Sequence, residues 1–164
     1  MVLDKSAATK PFERSFFEII EKHGWHIMSV ANGPDDEGPV FSYSTGIYQR
    51  LNAPELLIIG LPGKLCASII NHYGREIENN GARFEAGNFY AGFLEGFDVY
   101  MMEADGRAKS EFAIWADWYY ERQPFPILQC IWPTTSGLWP WDPAAYDGFL
   151  DDQPLLGRTP NGNN

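Results

Sequence analysis

Residues 55–61 read Glu-Leu-Leu-Ile-Ile-Gly-Leu, and the next polar side chain along the chain is that of Lys64. An apolar run of this length is typical of a strand that is buried on both faces, and such strands lie in the middle of a sheet. We therefore predict a central strand from Glu55 to Gly60. Glu55 opens this strand at an end of the sheet, where binding sites often form.

Helical periodicity is clearest near the start of the chain. Apolar residues recur at steps of three and four between Phe12 and His23, which predicts a helix that Thr9 caps and Gly24 ends. Shorter signals predict the remaining elements. In chain order these are strands at 25–30 and 40–45 with an exposed turn at 32–39 between them, a helix from 61–63 to 79–81, an irregular segment at 84–92, a strand at 93–103, a helix from 105 and a strand at 127–132.

This order of elements predicts the fold class. Strands joined as hairpins, with helices before, between and after them, favour an α+β fold over a doubly wound parallel sheet. We predict a mostly antiparallel sheet of about five strands, two to three packed helices and a C-terminal loop rich in proline and tryptophan.

Length and charge limit the class of protein. With 164 residues the chain can build its own core, and we predict a single domain over residues 1–157 with a disordered tail at 158–164. No apolar run approaches the ~20 residues that span a bilayer, and the first residues lack a secretion signal, which predicts a cytoplasmic protein. The net charge of −10 disfavours nucleic acid as a partner and is compatible with a basic protein.

Cysteine and histidine residues do not form a recognisable metal motif. Cys66 and Cys130 lie far apart in apolar segments, which predicts buried free thiols. His23 and His26 are spaced as a pair, but the glycine that ends the first helix separates them, and His72 belongs to another helix. We therefore predict no metal site.

The segment from Trp132 to Gly157 contains three of the six tryptophans, and its prolines exclude a continuous helix. Large rings on a stiff loop either cover a core or line a pocket. Three tryptophans on a free arm would give an otherwise acidic protein an exposed apolar patch. We therefore predict that this segment folds back over the sheet.

Three polar residues have both a structural and a functional interpretation. Glu55 either forms an ion pair with Arg50 or lines a site at the sheet end. Gln129 interrupts the apolar strand at 127–132, so its amide either binds the backbone of a neighbouring loop or contacts a ligand. Asp142 lies between Trp141 and a proline, where it either caps a turn or acts as an acid or base of raised pKa.

Several segments, taken in order, resemble the bacterial family catalogued as domain of unknown function 4262. They are Gly24-Trp25-His26, Phe41-Ser42-Tyr43-Ser44-Thr45-Gly46, Pro54-Glu55-Leu56, Gly60-Leu61, Gly81 to Gly87, Leu128-Gln129, Trp132-Pro133, Trp139-Pro140-Trp141 and Gln153-Pro154-Leu155-Leu156-Gly157. The resemblance extends over about residues 24–157 and implies a small soluble bacterial domain, with no established activity or catalytic residues. Thr134 stands where the family often has an acidic residue, which argues against a catalytic carboxylate at that position.

Three functions are compatible with these residues. The first is a binding module with an aromatic-lined pocket at one end of the sheet, for a small ligand or a partner protein. The residues predicted to line that pocket are Tyr43, Thr45, Glu55, Gln129, Trp132, Trp139 and Trp141. The second is a small enzyme or flavin-associated protein, by loose analogy with split barrels. The third is an acidic protein of the immunity type, which neutralises a partner. The sequence identifies neither a cofactor nor a catalytic residue.

Overall fold

The computed structural model describes residues 2–31 and 38–161 and contains a six-stranded mixed sheet. The strands are β1 (His26–Val30), β2 (Phe41–Thr45), β3 (Glu55–Ile59), β4 (Phe89–Leu94), β5 (Phe97–Glu103) and β6 (Ile127–Ile131). They lie in the order β1-β2-β3-β6-β5-β4, and every neighbouring pair is antiparallel except β3 and β6. The predicted α+β class, the mostly antiparallel sheet and the central position of β3 are confirmed.

Helices cover both faces of the sheet. They are α1 (Pro11–His23), α2 (Ile47–Leu51), α3 (Gly63–Asn80), α4 (Ile114–Tyr119) and α5 (Phe149–Asp152), with a 3-10 turn at Lys5–Ala7 and a π-helical turn at Ala108–Phe112. Gly24 ends α1 with a φ of 97°, and Gly81 ends α3 with a φ of 66°, as their sequence positions predict. Lys10 rather than Thr9 is the N-cap of α1, and the Glu13 carboxylate accepts hydrogen bonds from the backbone amides of both residues.

The alternating side chains of β3 divide the core into two layers. Leu56 and Ile58 pack against α3 on one face, whereas Leu57 and Ile59 pack against α1 and α4 on the other, and all four are fully buried. On the face of α1 and α4, but over β5 and β6, the C-terminal segment covers a third cluster. This cluster contains Tyr100, Met102, Ile131, Trp139, Trp141 and Leu155. The prediction that the segment folds back over the sheet is confirmed.

Two predicted elements differ from the structure because of glycines. The single strand expected at 93–103 is a hairpin, in which Leu94 lies opposite Phe97 and Gly96 supplies a positive φ of 80° to the tight turn. The segment at 84–92, expected to be irregular, contains most of β4. Gly92, with a φ of 95°, lies in a bulge of this edge strand, which obscures the alternation that would have identified it.

Two predictions concern the limits of the described chain. Most of the turn expected at 32–39 lies outside the described residues. Of the tail expected at 158–164, residues 158–161 are described: Thr159 is buried, and the backbone carbonyl of Arg158 accepts a hydrogen bond from the Tyr100 hydroxyl at 3.5 Å.

Candidate functional site

The seven residues predicted to line one pocket lie in three separate places. Thr45 and Glu55 are buried at one end of β2 and β3, and Tyr43 is buried in the middle of β2. Gln129 and Trp132 contact the C-terminal segment at the middle and the far end of β6. Trp139 and Trp141 lie over β5. The reason is the sheet order, which separates β2 from β6 by the full width of β3.

The carboxylate of Glu55 is the centre of a buried polar network. Its two oxygens accept hydrogen bonds from the Ser44 hydroxyl at 2.7 Å, from the Tyr120 hydroxyl, and from the backbone amides of residues 46, 47 and 48 at 2.9–3.2 Å. Ser44 in turn accepts a hydrogen bond from the Leu56 amide at 2.9 Å, so its hydroxyl proton is directed at Glu55. The network holds the connection between β2 and β3 in place.

Every group around Glu55 is a donor, which determines its charge. Removal from water raises the pKa of the Glu55 carboxyl, while the hydrogen bonds from Tyr120, Ser44 and the backbone favour its charged form. Three of the five donors are backbone amides, which cannot accept a proton, and the Ser44 oxygen already accepts from the Leu56 amide, so we assign the charged form. The predicted alternative of an ion pair with Arg50 is wrong, because Arg50 binds Glu78 at 2.6 Å.

Tyr43 and Thr45 are core residues on the same face of β2. The Tyr43 hydroxyl accepts a hydrogen bond from the Trp115 amide at 3.1 Å, and burial raises its pKa to about 12. Thr45 lies opposite His26 of β1. Among the described residues, Thr45 Oγ1 and His26 Nδ1 are both buried without a hydrogen-bond partner. Burial lowers the pKa of His26 to about 4, which makes it neutral at pH 7.

Two glutamines fasten the C-terminal segment to β6. The Gln129 amide donates to the Pro154 carbonyl at 2.6 Å and accepts from the Leu156 amide at 2.9 Å. Gln153 accepts from the Trp132 amide and donates to the Trp132 carbonyl, both at 3.0 Å. The structural interpretation of Gln129 is therefore confirmed, and both glutamine side chains are fully buried.

Trp139 and Trp141 form a stacked pair on the surface of β5. Their ring planes differ by only 3° and their centroids are 5.2 Å apart, with Phe89 against one ring and Tyr100 against the other. The Asp142 carboxylate accepts a hydrogen bond from the Trp139 amide at 2.7 Å. Asp142 therefore caps a turn, as its structural interpretation predicts.

A small apolar cleft opens beside Trp132. This cleft, the Trp132 cleft, has a volume of about 290 Å³ and is lined by Leu61, Leu65, Leu94, Glu95, Phe97, Trp132, Pro133, Thr134 and Thr135. The Trp132 ring is fixed by a hydrogen bond from its Nε1 to the Ile59 carbonyl at 2.8 Å and by contact with Phe149. Leu65, in the first turn of α3, is 37% exposed.

A larger cleft lies beside Trp141. This second cleft, the Trp141 cleft, has a volume of about 520 Å³ and is lined by Arg107, Trp141, Leu150, Pro154, Leu155, Thr159 and Asn161. A third cleft, of about 500 Å³, is lined in part by Tyr100, Glu103 and Asp105. The guanidinium of Arg107 binds both carboxylate oxygens of Asp105 at 2.8–3.1 Å, so the charges of these two residues compensate each other.

Sequence reasoning identified one residue of the Trp132 cleft and missed the apolar residues around it. Leu65 falls on the periodic apolar face of α3, which predicts a core position, but it lies in the first turn of the helix and is partly exposed. Leu94 and Phe97 belong to the hairpin that the sequence pattern did not reveal. Leu61 and Trp132 each follow the end of a strand, and their proximity depends on the pairing of β3 with β6.

The described residues contain no group of three or more histidine, cysteine or acidic side chains that could hold a metal ion. Cys66 and Cys130 are both buried and free, as predicted. No helix within residues 2–31 and 38–161 is long and apolar enough to cross a membrane.

A family model described as Domain of unknown function (DUF4262) matches residues 19–146, which is most of the chain. No curated protein and no solved structure matches the sequence.

Proposed function

Because the chain belongs to the DUF4262 family, whose description names no activity, we propose its function from its own clefts: it is a binding module that holds a small apolar, planar ligand in the Trp132 cleft. The observation that carries this proposal is an open, apolar cleft at a sheet end, lined by an indole whose position is fixed. The proposal keeps the predicted aromatic pocket but moves it to residues around Trp132.

The position of the Trp132 cleft in the sheet supports this proposal. β3 and β6 are parallel, so their carboxyl ends meet at the same edge, and Leu61 and Trp132 follow those ends. In open sheets with parallel strands, ligands bind in the crevice outside the carboxyl ends. The cleft volume is near the lower limit of ligand pockets, which suits a ligand of one or two rings.

The chemistry of the lining defines the ligand further. Leucine, phenylalanine, proline and tryptophan side chains form the walls, and the polar groups lie at residues 95, 134 and 135. The Thr134 hydroxyl already contacts Ser136 and the Leu138 amide, whereas Thr135 is exposed. A planar apolar ligand with a hydroxyl or amide at one end matches this distribution.

The flavin hypothesis receives no support from the topology. Split barrels close their strands into a barrel, whereas this sheet is open, with β1 and β4 as its edges among the described residues. The acidic-partner hypothesis concerns a different surface, in the segment from Trp139 to Asp152.

The proposal is tested by titrating the protein with 1-naphthol while recording NMR signals of leucine methyl groups and tryptophan indoles. We expect saturable shifts of the Trp132 indole signal and of the Leu61, Leu65 and Leu94 methyl signals. Replacing Leu65 with Ser removes one apolar wall, so we expect the affinity to fall by about fivefold or more.

The matched control is Leu150→Ser, which truncates an exposed leucine in the Trp141 cleft instead. We expect this variant to bind 1-naphthol as the unmodified protein does. Shifts that never saturate, or that are equally large at Trp141 and Leu150, would show that the Trp132 cleft is not a preferred site.

A further inference from the structure

The segment from Trp139 to Asp152 forms a surface that is both acidic and aromatic. It contains four aspartates, and no lysine or arginine occurs between Arg122 and Arg158. Three large apolar side chains at or beside this surface are strongly exposed: Phe89 at 45%, Tyr146 at 49% and Leu150 at 53%. Clustered apolar exposure of this kind marks an interaction site.

The surface is already ordered. Trp139 and Trp141 are packed on the sheet through Tyr100 and Phe89. The Tyr146 ring stacks on the buried Phe149 ring at 4.9 Å, with 13° between their planes, and its hydroxyl donates to Asp152 at 2.8 Å. A partner that binds here does not have to order these rings, so little conformational entropy is lost on binding.

The Trp141 cleft adjoins this surface: Trp141 and Leu150 supply apolar walls, and Arg107 also lines it. Because Arg107 is bound to Asp105, the cleft does not present a free positive charge. An aliphatic side chain inserted between Trp141 and Leu150 would bury the exposed part of both.

The charges around the cleft are uncompensated. Asp147 and Asp151 flank Leu150 in the chain and are exposed, without an ion pair among the described residues. Asp142 and Asp152 accept hydrogen bonds from the Trp139 amide and the Tyr146 hydroxyl, which are neutral groups. The surface therefore keeps a negative potential, which attracts a basic partner.

We propose that this surface docks a basic polypeptide segment, whose lysine or arginine side chains lie against Asp147 and Asp151 while an aliphatic side chain enters the Trp141 cleft. A second copy of the chain would bring another net charge of −10 to the same place and is disfavoured. The docking surface and the Trp132 cleft have no lining residue in common, so either can fail without the other.

Calorimetric titration with a short, lysine-rich synthetic peptide that carries one central leucine tests this proposal. We expect binding that weakens as salt is added, because exposed charges are screened. The double variant Asp147→Lys/Asp151→Lys should lower the affinity by about tenfold or more. The control is Glu18→Lys/Glu121→Lys, which gives the same net charge by changing exposed acids in other segments.

The apolar half of the proposal has its own test. Leu150→Ser should lower the affinity for the leucine peptide by about threefold, and it should change little for a peptide in which serine replaces the leucine. The indole signals of Trp139 and Trp141 report whether each variant keeps the folded surface. If the charge variant unfolds, Leu150→Ser and the serine peptide alone decide the question.

Two results would overturn the proposal. Equal weakening by the surface and control charge variants would mean that the peptide responds only to the overall charge of the protein. Equal binding of the leucine and serine peptides by the unmodified protein would mean that nothing enters the Trp141 cleft.

Discussion

At the scale of single residues, Glu55 is the polar side chain on which the fold depends most. It is fully buried and accepts hydrogen bonds from two hydroxyls and three amides. Glu55→Gln keeps the shape but turns an NH2 group toward donors. Because buried donors without acceptors are costly, we expect the free energy of unfolding to fall by about 3 kcal/mol in urea denaturation.

Glu78→Gln is the matched control, since the Glu78 carboxylate binds Arg50 at a partly exposed position. Loss of such an ion pair costs about 1 kcal/mol at most. Equal stability of Glu55→Gln and the unmodified protein would mean that the Glu55 carboxyl is protonated in the folded state.

His26 gives the fold a dependence on pH. Its pKa is lowered to about 4 by burial, whereas an unfolded histidine has a pKa of about 6.5. Between these values the unfolded chain binds the proton more tightly, so stability falls as the pH is lowered from about 6.5 to 4. The slope contributed by this one proton is at most about 1.4 kcal/mol per pH unit.

His26→Phe removes the group that binds this proton. The new ring takes the place of the imidazole, whose centroid lies 4.3 Å from that of the Phe16 ring. We expect the stability difference between this variant and the unmodified protein to change across this pH window in urea denaturation. A constant difference for His26→Phe would mean that His26 titrates normally.

At the scale of elements, the C-terminal segment completes the core although most of it is irregular and α5 is short. Gln153 makes two hydrogen bonds to the backbone of Trp132, and Phe149 and Leu156 are buried. We expect Gln153→Ala to lower stability by about 2 kcal/mol, because Trp132 loses both partners where water is excluded. Amide hydrogen exchange should rise in residues 149–157 and stay slow in α3.

A chain that ends at Tyr146, where the family match ends, gives a stronger form of the same test. It lacks Phe149, Gln153 and Leu156, and leaves Gln129 buried without its two partners. We expect this shortened chain to be unfolded or insoluble. A soluble product with the melting temperature of the full chain would show that the segment lies on the core without supporting it.

At the scale of the whole molecule, local patterns in the sequence predict elements better than they predict the site. The run at residues 55–61 identifies β3 because a strand buried on both faces needs apolar residues at every position. The hairpin of β4 and β5 was missed because Gly92 and Gly96 interrupt its alternation. The predicted pocket does not assemble because topology sets the neighbours in a sheet: β3 lies between β2 and β6. The pairing of β3 with β6, about 70 positions later in the chain, instead brings Leu61 and Trp132 into one cleft.

For the polar residues, too, the sequence predicts the burial of a side chain better than it predicts the partners of that side chain. Gln129 was recognised as a buried amide that needs partners, but its partners at residues 154 and 156 have no sequence signal of their own. Glu55 was placed at a sheet end, but its nearest charged neighbour in the sequence, Arg50, pairs elsewhere. The residue type predicts which hydrogen-bond or charge partners a buried side chain requires, whereas the fold determines which groups supply them.

The late position of the covering segment has a consequence for synthesis on the ribosome. All six strands are complete once Ile131 has been added, but the apolar side chains of Tyr100, Met102 and Ile131 are covered by residues that are translated afterwards. Chains emerge from the N-terminus onward, at about 5–20 residues per second. The nascent sheet therefore exposes an apolar face until residues 139–156 have left the ribosome. If translation stalls in this interval, the chain on the ribosome is prone to aggregate.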